Sequence, residues 1–182
     1  MYDRDAAVAY ANRYYQNHNP AYPDFDDQPW EGGNCANFIS QCLYAGGMPW
    51  ITGPPSQYTS VKYWWCQPGA TDRDGDKRIT LTWKVALAFG LHWAKRAAKY
   101  TEEAPATVLL NFNLWSRRLD RGDVIQLTQA NGNPYHTLIL VQRSGSDWLL
   151  AAQTYDTNDR SLFSTLTAMA GTGQRVRFYQ MG

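Results

Sequence analysis

Little in this sequence announces a partner by bulk chemistry. Seventeen basic and sixteen acidic side chains leave a formal charge of +1, too small a field to gather nucleic acid or an anionic membrane surface. No apolar run approaches the roughly eighteen residues of a membrane span, and the opening stretch MYDRDAAVAYANRYY lacks the apolar centre of a signal peptide. A soluble chain is expected, with neither nucleic acid nor membrane as partner; its compartment and oligomeric state stay unassigned. The three cysteines, Cys35, Cys42 and Cys66, make no disulfide framework, and their odd number leaves at least one thiol unpaired within the chain. All three are read as reduced. Histidine is as scarce, with only His18, His92 and His136, and no ligand spacing predicts a metal site. The stretch TDRDGDKR sets Asp72, Asp74 and Asp76 at a calcium-like interval, but its glycine is misplaced and no bidentate Glu follows, so a solvated loop is expected. There is no internal repeat and no low-complexity segment.

Aromatic residues are abundant, with eight Trp, twelve Tyr and six Phe in 182 residues. Most are expected to pack a core, although so many Trp and Tyr also suit a groove for peptide or ring-bearing ligands. The length is that of one domain, taken as 1–182. Ala7, Tyr10, Ala11 and Tyr14 fall at helical spacing, with Asp3 as N-cap and Asn19-Pro20 as a stop. The following AYPDFDDQPWEGG reads as an irregular loop, and another helix is predicted from Trp83 to about Lys99. After Pro105 the pattern changes to period two: TVLLNF, DVIQL, TLILVQR, WLLAAQT and RVRFY read as strands. Helices first and an antiparallel sheet second predict an α+β fold.

The stretch GGNCANFISQCLY draws attention to Cys35. Cys35, Phe38, Ile39, Cys42 and Leu43 follow the i, i+3, i+4, i+7, i+8 spacing of a buried helical stripe that Cys35 heads and Gly46-Gly47 ends. A thiol in a first helical turn sits among unpaired N–H groups at the positive end of the dipole, where thiolate is favoured. Cys42, two turns on, is expected to be a buried hydrophobe, and a cysteine opening such a stripe is in general more often a small core residue than a nucleophile.

A cysteine nucleophile needs a base. His18 sits at a fraying helix end and His92 within a helix, ordinary places for packed or surface imidazoles. His136 begins the apolar strand TLILV just after the turn NGNPY, where a helix N-terminus could face it. A hairpin centred on Gly145-Ser146 would bring His136 opposite the stretch from Gln153 to Asp156, so Gln153, Thr154 and Asp156 are candidates for orienting the imidazole. A bulge would change which of them shares its face. Asp123, after Gly122, is expected to shape the turn into DVIQL by bonding local backbone.

In order, GGNCANFISQCL, RGDVIQL, HTLILV and AAQTYD, together with the Tyr-rich first helix, Trp64-Trp65 and Trp83, resemble the putative amidase domain of the papain-like superfamily, related in layout to NlpC-type and CHAP cell-wall hydrolases. The resemblance implies a catalytic Cys35 opening a helix packed on a C-terminal antiparallel sheet, His136 as base, and a polar third member at Gln153. Two positions depart from the family pattern: Asn34 stands where Asp is usual, and Gln153-Thr154 where His-Thr is common. Asn34 is expected to keep a hydrogen-bonding cap while removing a charge that opposes thiolate. Asn34, Asn37 and Tyr22 are candidates, beside the Cys35 N–H, for holding an oxyanion. The implied activity is cleavage of amides in peptides or peptidoglycan stem peptides through a Cys35 thioester, with no cofactor. The alternatives are a degenerate peptide- or glycan-binding module and an acyltransferase or transglutaminase-like enzyme using the same residues.

Overall fold

The computed structural model describes residues 1–26, 33–71 and 74–182. Asp72 of the calcium-like stretch and Gly32 of the cysteine segment lie outside the described residues. The first helix, α1 (Arg4–Tyr14), begins as expected: Asp3 Oδ1 accepts the Ala6 N–H at 2.9 Å. It stops short of Asn19-Pro20. Helix α2 (Cys35–Ala45) carries the cysteine stripe and ends through Gly46 and the left-handed Gly47. The helix expected from Trp83 to Lys99 is two helices, α3 (Leu81–Lys84) and α4 (Ala86–Arg96), broken where Val85 is extended at φ −105°, ψ 122°. Lys99 itself opens a strand.

Six strands form one antiparallel sheet: β1 (Lys99–Glu103), β2 (Val124–Thr128), β3 (Pro134–Ser144), β4 (Asp147–Ala152), β5 (Thr157–Ser161) and β6 (Arg175–Gln180), in the order β1-β6-β2-β3-β4-β5. The fold is thus α+β. Four of the five expected strands are present. The fifth, TVLLNF, is instead helical, divided between α5 (Pro105–Leu110) and α6 (Phe112–Arg118). Pro105 at the first helical position presets φ, and Val108 and Phe112 are buried on the sheet's second face; this packing overrides their β propensity.

Helices cover both faces. On one, α1 to α4 enclose a core with Phe38, Ile39, Leu43, Val124, Ile139 and Ala151, in which Trp64 packs 4.7 Å from Trp83 and edge-on to Trp93 at 5.2 Å. On the other, α5, α6 and α7 (Leu162–Met169) enclose Ile125, Leu127, Leu138, Leu150, Val176 and Phe178. Cys42 and Cys66 are buried, Cys42 in the first core as expected. Helix α4 lies unusually close to the sheet at Gly90: a Cβ there would come within 2.5 Å of Gln126 Oε1. Gly90 therefore forgoes about 1 kcal/mol of helix propensity to seat α4 on β2. Asp123 bonds local backbone through the Asp120 N–H, and reaches further, accepting from Arg4 Nη1 at 2.7 Å and the Met181 N–H at 2.9 Å. Among the described residues no helix is long and apolar enough to cross a membrane, and no three His, Cys, Asp or Glu side chains are grouped to hold a metal ion. In the TDRDGDKR stretch Asp76 accepts from the Thr71 and Arg78 backbone N–H groups, and Asp74 pairs with Lys84.

Candidate active site

Cys35 occupies the first turn of α2, 3% exposed, on the wall of a cavity of about 470 Å³. Lys84, Val85, Ala86 and Leu87, where α3 passes into α4, form one side of it, and Asn133, Pro134 and Tyr135, before and at the start of β3, the other. Three donors reach the sulfur: the Thr137 N–H, the Thr137 hydroxyl and the Ala36 N–H. The hydroxyl is fixed in turn. Thr137 lies opposite Gln126 in the β2–β3 register; Gln126 Nε2 donates to Thr137 Oγ1 at 3.1 Å and to the Ala86 carbonyl at 2.8 Å, and Tyr179 donates to Gln126 Oε1 at 2.8 Å. Because Thr137 Oγ1 accepts from Gln126, its own proton is left for the sulfur. Burial nevertheless pushes the Cys35 thiol above its ordinary value, against the pull of these donors. The resting sulfur is a thiol near neutrality, not the thiolate expected from helix position alone.

His136 adjoins Thr137 but is paired across the sheet with Leu127, whose side chain lies in the second core. Cross-strand partners share a face, so alternation turns Thr137 towards α2 and His136 away from it, with its ring 6.1 Å from that of Tyr155. Its Nε2 is buried and finds no hydrogen-bond partner among the described residues. Among the described residues, no hydrogen bond joins His136 to Cys35 or to Gln153. Burial, with a smaller push from the Arg160 charge, lowers the imidazole to about 4, so it is neutral near neutral pH.

Gln153 faces α2. The hairpin turns at Gly145-Ser146, as expected, and a bulge at Val141 shifts the register between Leu140↔Leu150 and Gln142↔Leu149. Continued past the end of β4, that register sets Gln153 level with Thr137. Its Oε1 accepts from Asn34 Nδ2 at 2.5 Å, and its Nε2 donates to the Tyr14 carbonyl at 2.6 Å. The two positions that depart from the family pattern are thus bonded to each other. Asn34, contrary to expectation, makes no side-chain cap on α2; its Oδ1 accepts from Asn37 Nδ2 at 2.6 Å and from the Phe25 N–H at 3.4 Å. Both Asn37 amide protons are engaged, the second by the Pro23 carbonyl at 2.8 Å, and Asn37 Oδ1 accepts from Trp83 Nε1 at 2.9 Å. Tyr22 stacks on Trp83 at 5.9 Å.

Of the other orienter candidates, Thr154 Oγ1 accepts from the Asn34 N–H at 2.7 Å and bonds Asp26. Asp156 carries a carboxyl raised first by burial and then by Asp26 and Asp24. Thr154 and Tyr155 both take left-handed backbone, φ 58° and 65°, a conformation costing about 1–3 kcal/mol per residue. Gly33 is what lets Thr154 approach: it is left-handed at φ 78°, and a Cβ on it would meet Thr154 Oγ1 at 2.8 Å. Sequence reasoning missed Thr137 and Gln126, although the polar Thr137 and Gln126 within otherwise apolar strands are a readable signal.

His18 Nε2 contacts the Tyr22 carbonyl at 2.7 Å. His92 is buried between Trp64 and Trp93, bonded to the Val61 carbonyl at 2.8 Å, and burial lowers it to about 4. His92 and His136 set an acid limit on stability. The unfolded chain binds their protons near the ordinary imidazole value, the folded chain only near 4, so stability present above about pH 6.5 is lost as pH falls towards 4. Each contributes on the order of 3 kcal/mol to that loss. Thermal unfolding between pH 7 and 4.5 should show a steep fall in melting temperature, made shallower by His92→Gln; a flat profile would contradict the two depressed values.

Comparison with known proteins places this architecture. No solved structure matches the chain. The protein YhbB of Bacillus subtilis (strain 168), described only as uncharacterized, is 32% identical over 162 residues, covering 88% of this chain and 44% of its own length. The chain therefore spans less than half of that relative. The profile of the family described as Putative amidase domain matches residues 1–179, nearly the whole α+β unit with Cys35, Thr137 and Gln153 inside it, and to that family this chain belongs.

Proposed function

We propose that the chain hydrolyses amide bonds through Cys35, with His136 as the base; Gln153, the third member that the family likeness implies, supports the site without touching a reacting atom. The observation that carries this reading is the position of Cys35: a thiol in the first turn of a helix, opening on a cavity, with three hydrogen-bond donors at its sulfur. With the thiol raised and the imidazole lowered, the resting pair is neutral, so the proton moves during attack. For this step the start of β3 must rearrange to bring the imidazole round to the sulfur, because His136 rests on the sheet face away from α2. The sulfur bonds the carbonyl carbon as its proton passes to His136. The C–N bond then breaks, the amine leaves with that proton, and a thioester remains; water, deprotonated by His136, adds to the thioester, and loss of the C–S bond returns the thiol. First-turn N–H groups, left uncapped by the Asn34 side chain, receive the oxyanion.

The cavity bears on the substrate. Val85, Ala86, Leu87, Pro134 and the Tyr135 ring give it an apolar lining, and Leu87 and Tyr135 are 46% and 40% exposed. A peptide-like amide flanked by an apolar side chain fits this lining; peptides and, by family likeness, peptidoglycan stem peptides are the classes to try. Mass spectrometry of products from a peptide library and from purified peptidoglycan, with and without prior iodoacetamide treatment, tests the reading. Cleavage beside apolar residues is expected, lost after alkylation, and Leu87→Asp should lower the apolar preference about tenfold, the worth of roughly 1.4 kcal/mol of side-chain burial. Cleavage that survives complete alkylation of Cys35 would overturn it. The second reading, a module that binds without turnover, is favoured by the 3% exposure of Cys35 and the missing thiol–imidazole bond; bound but uncleaved peptide would establish it.

A further inference from the structure

A chain of carboxamides runs under Cys35 and takes no part in the reaction steps. We propose that Asn34 and Gln153 act together as a positioning unit, holding the first turn of α2 on the end of β4 so that the Cys35 sulfur is set against Thr137. The proposal rests on Cys35 being the reactive thiol.

The geometry is continuous and buried. Trp83 Nε1 donates to Asn37, Asn37 to Asn34, Asn34 to Gln153, and Gln153 to the Tyr14 carbonyl, at 2.9, 2.6, 2.5 and 2.6 Å. Asn34, Asn37 and Gln153 are each at most 4% exposed. Every link has one sense of donation, because the indole can only donate and the terminal carbonyl can only accept. An Asn at an N-cap ordinarily uses its side chain on the first-turn N–H groups, a bond worth about 1 kcal/mol. Here that bond is forgone, and the side chain ties helix to sheet. The main chain repeats the tie, since the Asn34 N–H donates to Thr154 Oγ1 one residue beyond Gln153. Asn34 and Gln153 touch no reacting atom. They act through the residue between them and the cavity, Cys35.

None of the linked side chains titrates, so the tie is indifferent to pH. Replacing Gln153 by histidine makes it conditional: a neutral imidazole accepts the Asn34 N–H, an imidazolium cannot. The titratable groups around the link are Cys35 on α2, Tyr14 at the end of α1, Asp26 at the end of residues 1–26, His136 on β3, and Tyr155 and Asp156 after β4; they are the same in parent and variant.

Site-resolved alkylation of Cys35 by iodoacetamide, followed by mass spectrometry from pH 5 to 9, reads the sulfur directly. Gln153→Leu should slow it about tenfold at pH 8 under conditions where the protein stays folded. Gln153→His should match the parent at pH 8 and fall below it as the new imidazole protonates. A simple charge effect has the opposite sign, since a cation nearby favours thiolate and speeds alkylation. Faster alkylation of Gln153→His in acid, or parental rates for Gln153→Leu with only a lower melting temperature, would overturn the proposal. Turnover that persists without Cys35 would sink the hydrolase reading instead, and that result is separate because alkylation does not depend on turnover.

Discussion

Cys35→Ala is expected to lose turnover by at least about a thousandfold while the protein keeps its fold. Alanine is a good helix former at the head of α2, and the change removes one sulfur from a site that already borders a cavity, a loss on the order of 1 kcal/mol. What disappears is the only atom there able to form a thioester. Thr137 and Ala36 would keep their donors aimed at the same spot, so a bound substrate would still be held but not attacked. Product release measured beside near-ultraviolet circular dichroism and a melting curve separates loss of chemistry from loss of fold. Full activity in a verified Cys35→Ala preparation would remove the thioester from consideration.

His136→Ala is expected to cost about 10² to 10⁴ in rate, the usual worth of a positioned base. The pH profile is the sharper sign. A base must be unprotonated, and with its value lowered to about 4 the parent should keep its rate well below pH 6.5, losing it only as pH falls through about 4. An ordinary histidine would fail about 2.5 pH units earlier. The same substitution removes a buried imidazole whose Nε2 has no partner among the described residues, so the variant should lose less stability than the parent between pH 6.5 and 4.5. A His136→Ala enzyme that turns over like the parent but resists acid better would make His136 a packed imidazole and place the base elsewhere.

What could be read from the sequence was whatever a single element carries within itself. The stripe from Cys35 to Leu43, the Asp3 cap, the Gly46-Gly47 stop and the turn at Gly145-Ser146 are local patterns, and each is realised. Features set by a partner were hidden. KYTEE does not look like a strand until Glu102 is seen between Arg175 and Arg177 of β6, at 2.8 and 2.7 Å. TVLLNF looks like a strand until Val108 is seen buried under the sheet. The site divides along the same line. Cys35 and Gln153 could be singled out, but the bond from Gln153 to Asn34 depends on a one-residue bulge at Val141, which no local pattern marks. The face taken by His136 depends likewise on its pairing with Leu127.

The place of β6 in the sheet has a consequence for how the molecule comes into being. The strand latest in sequence lies between β1 and β2, so these two cannot join until residues 175–180 have left the ribosome. Before that, β2 to β5 can form as a meander of hairpins, with β2 exposing an unpaired edge and Phe89 on α4 lacking the Tyr179 ring it meets edge-on. A nascent chain therefore presents an open, apolar sheet border from the time β2 is made until residues 175–180 emerge, the kind of border that recruits other strands. Assembly of the finished sheet waits on its pairings of widest sequence separation, those of β1 with β6, which makes folding late and slow relative to helix formation, and puts the passage from ribosome to native state, more than the native state itself, at risk of aggregation.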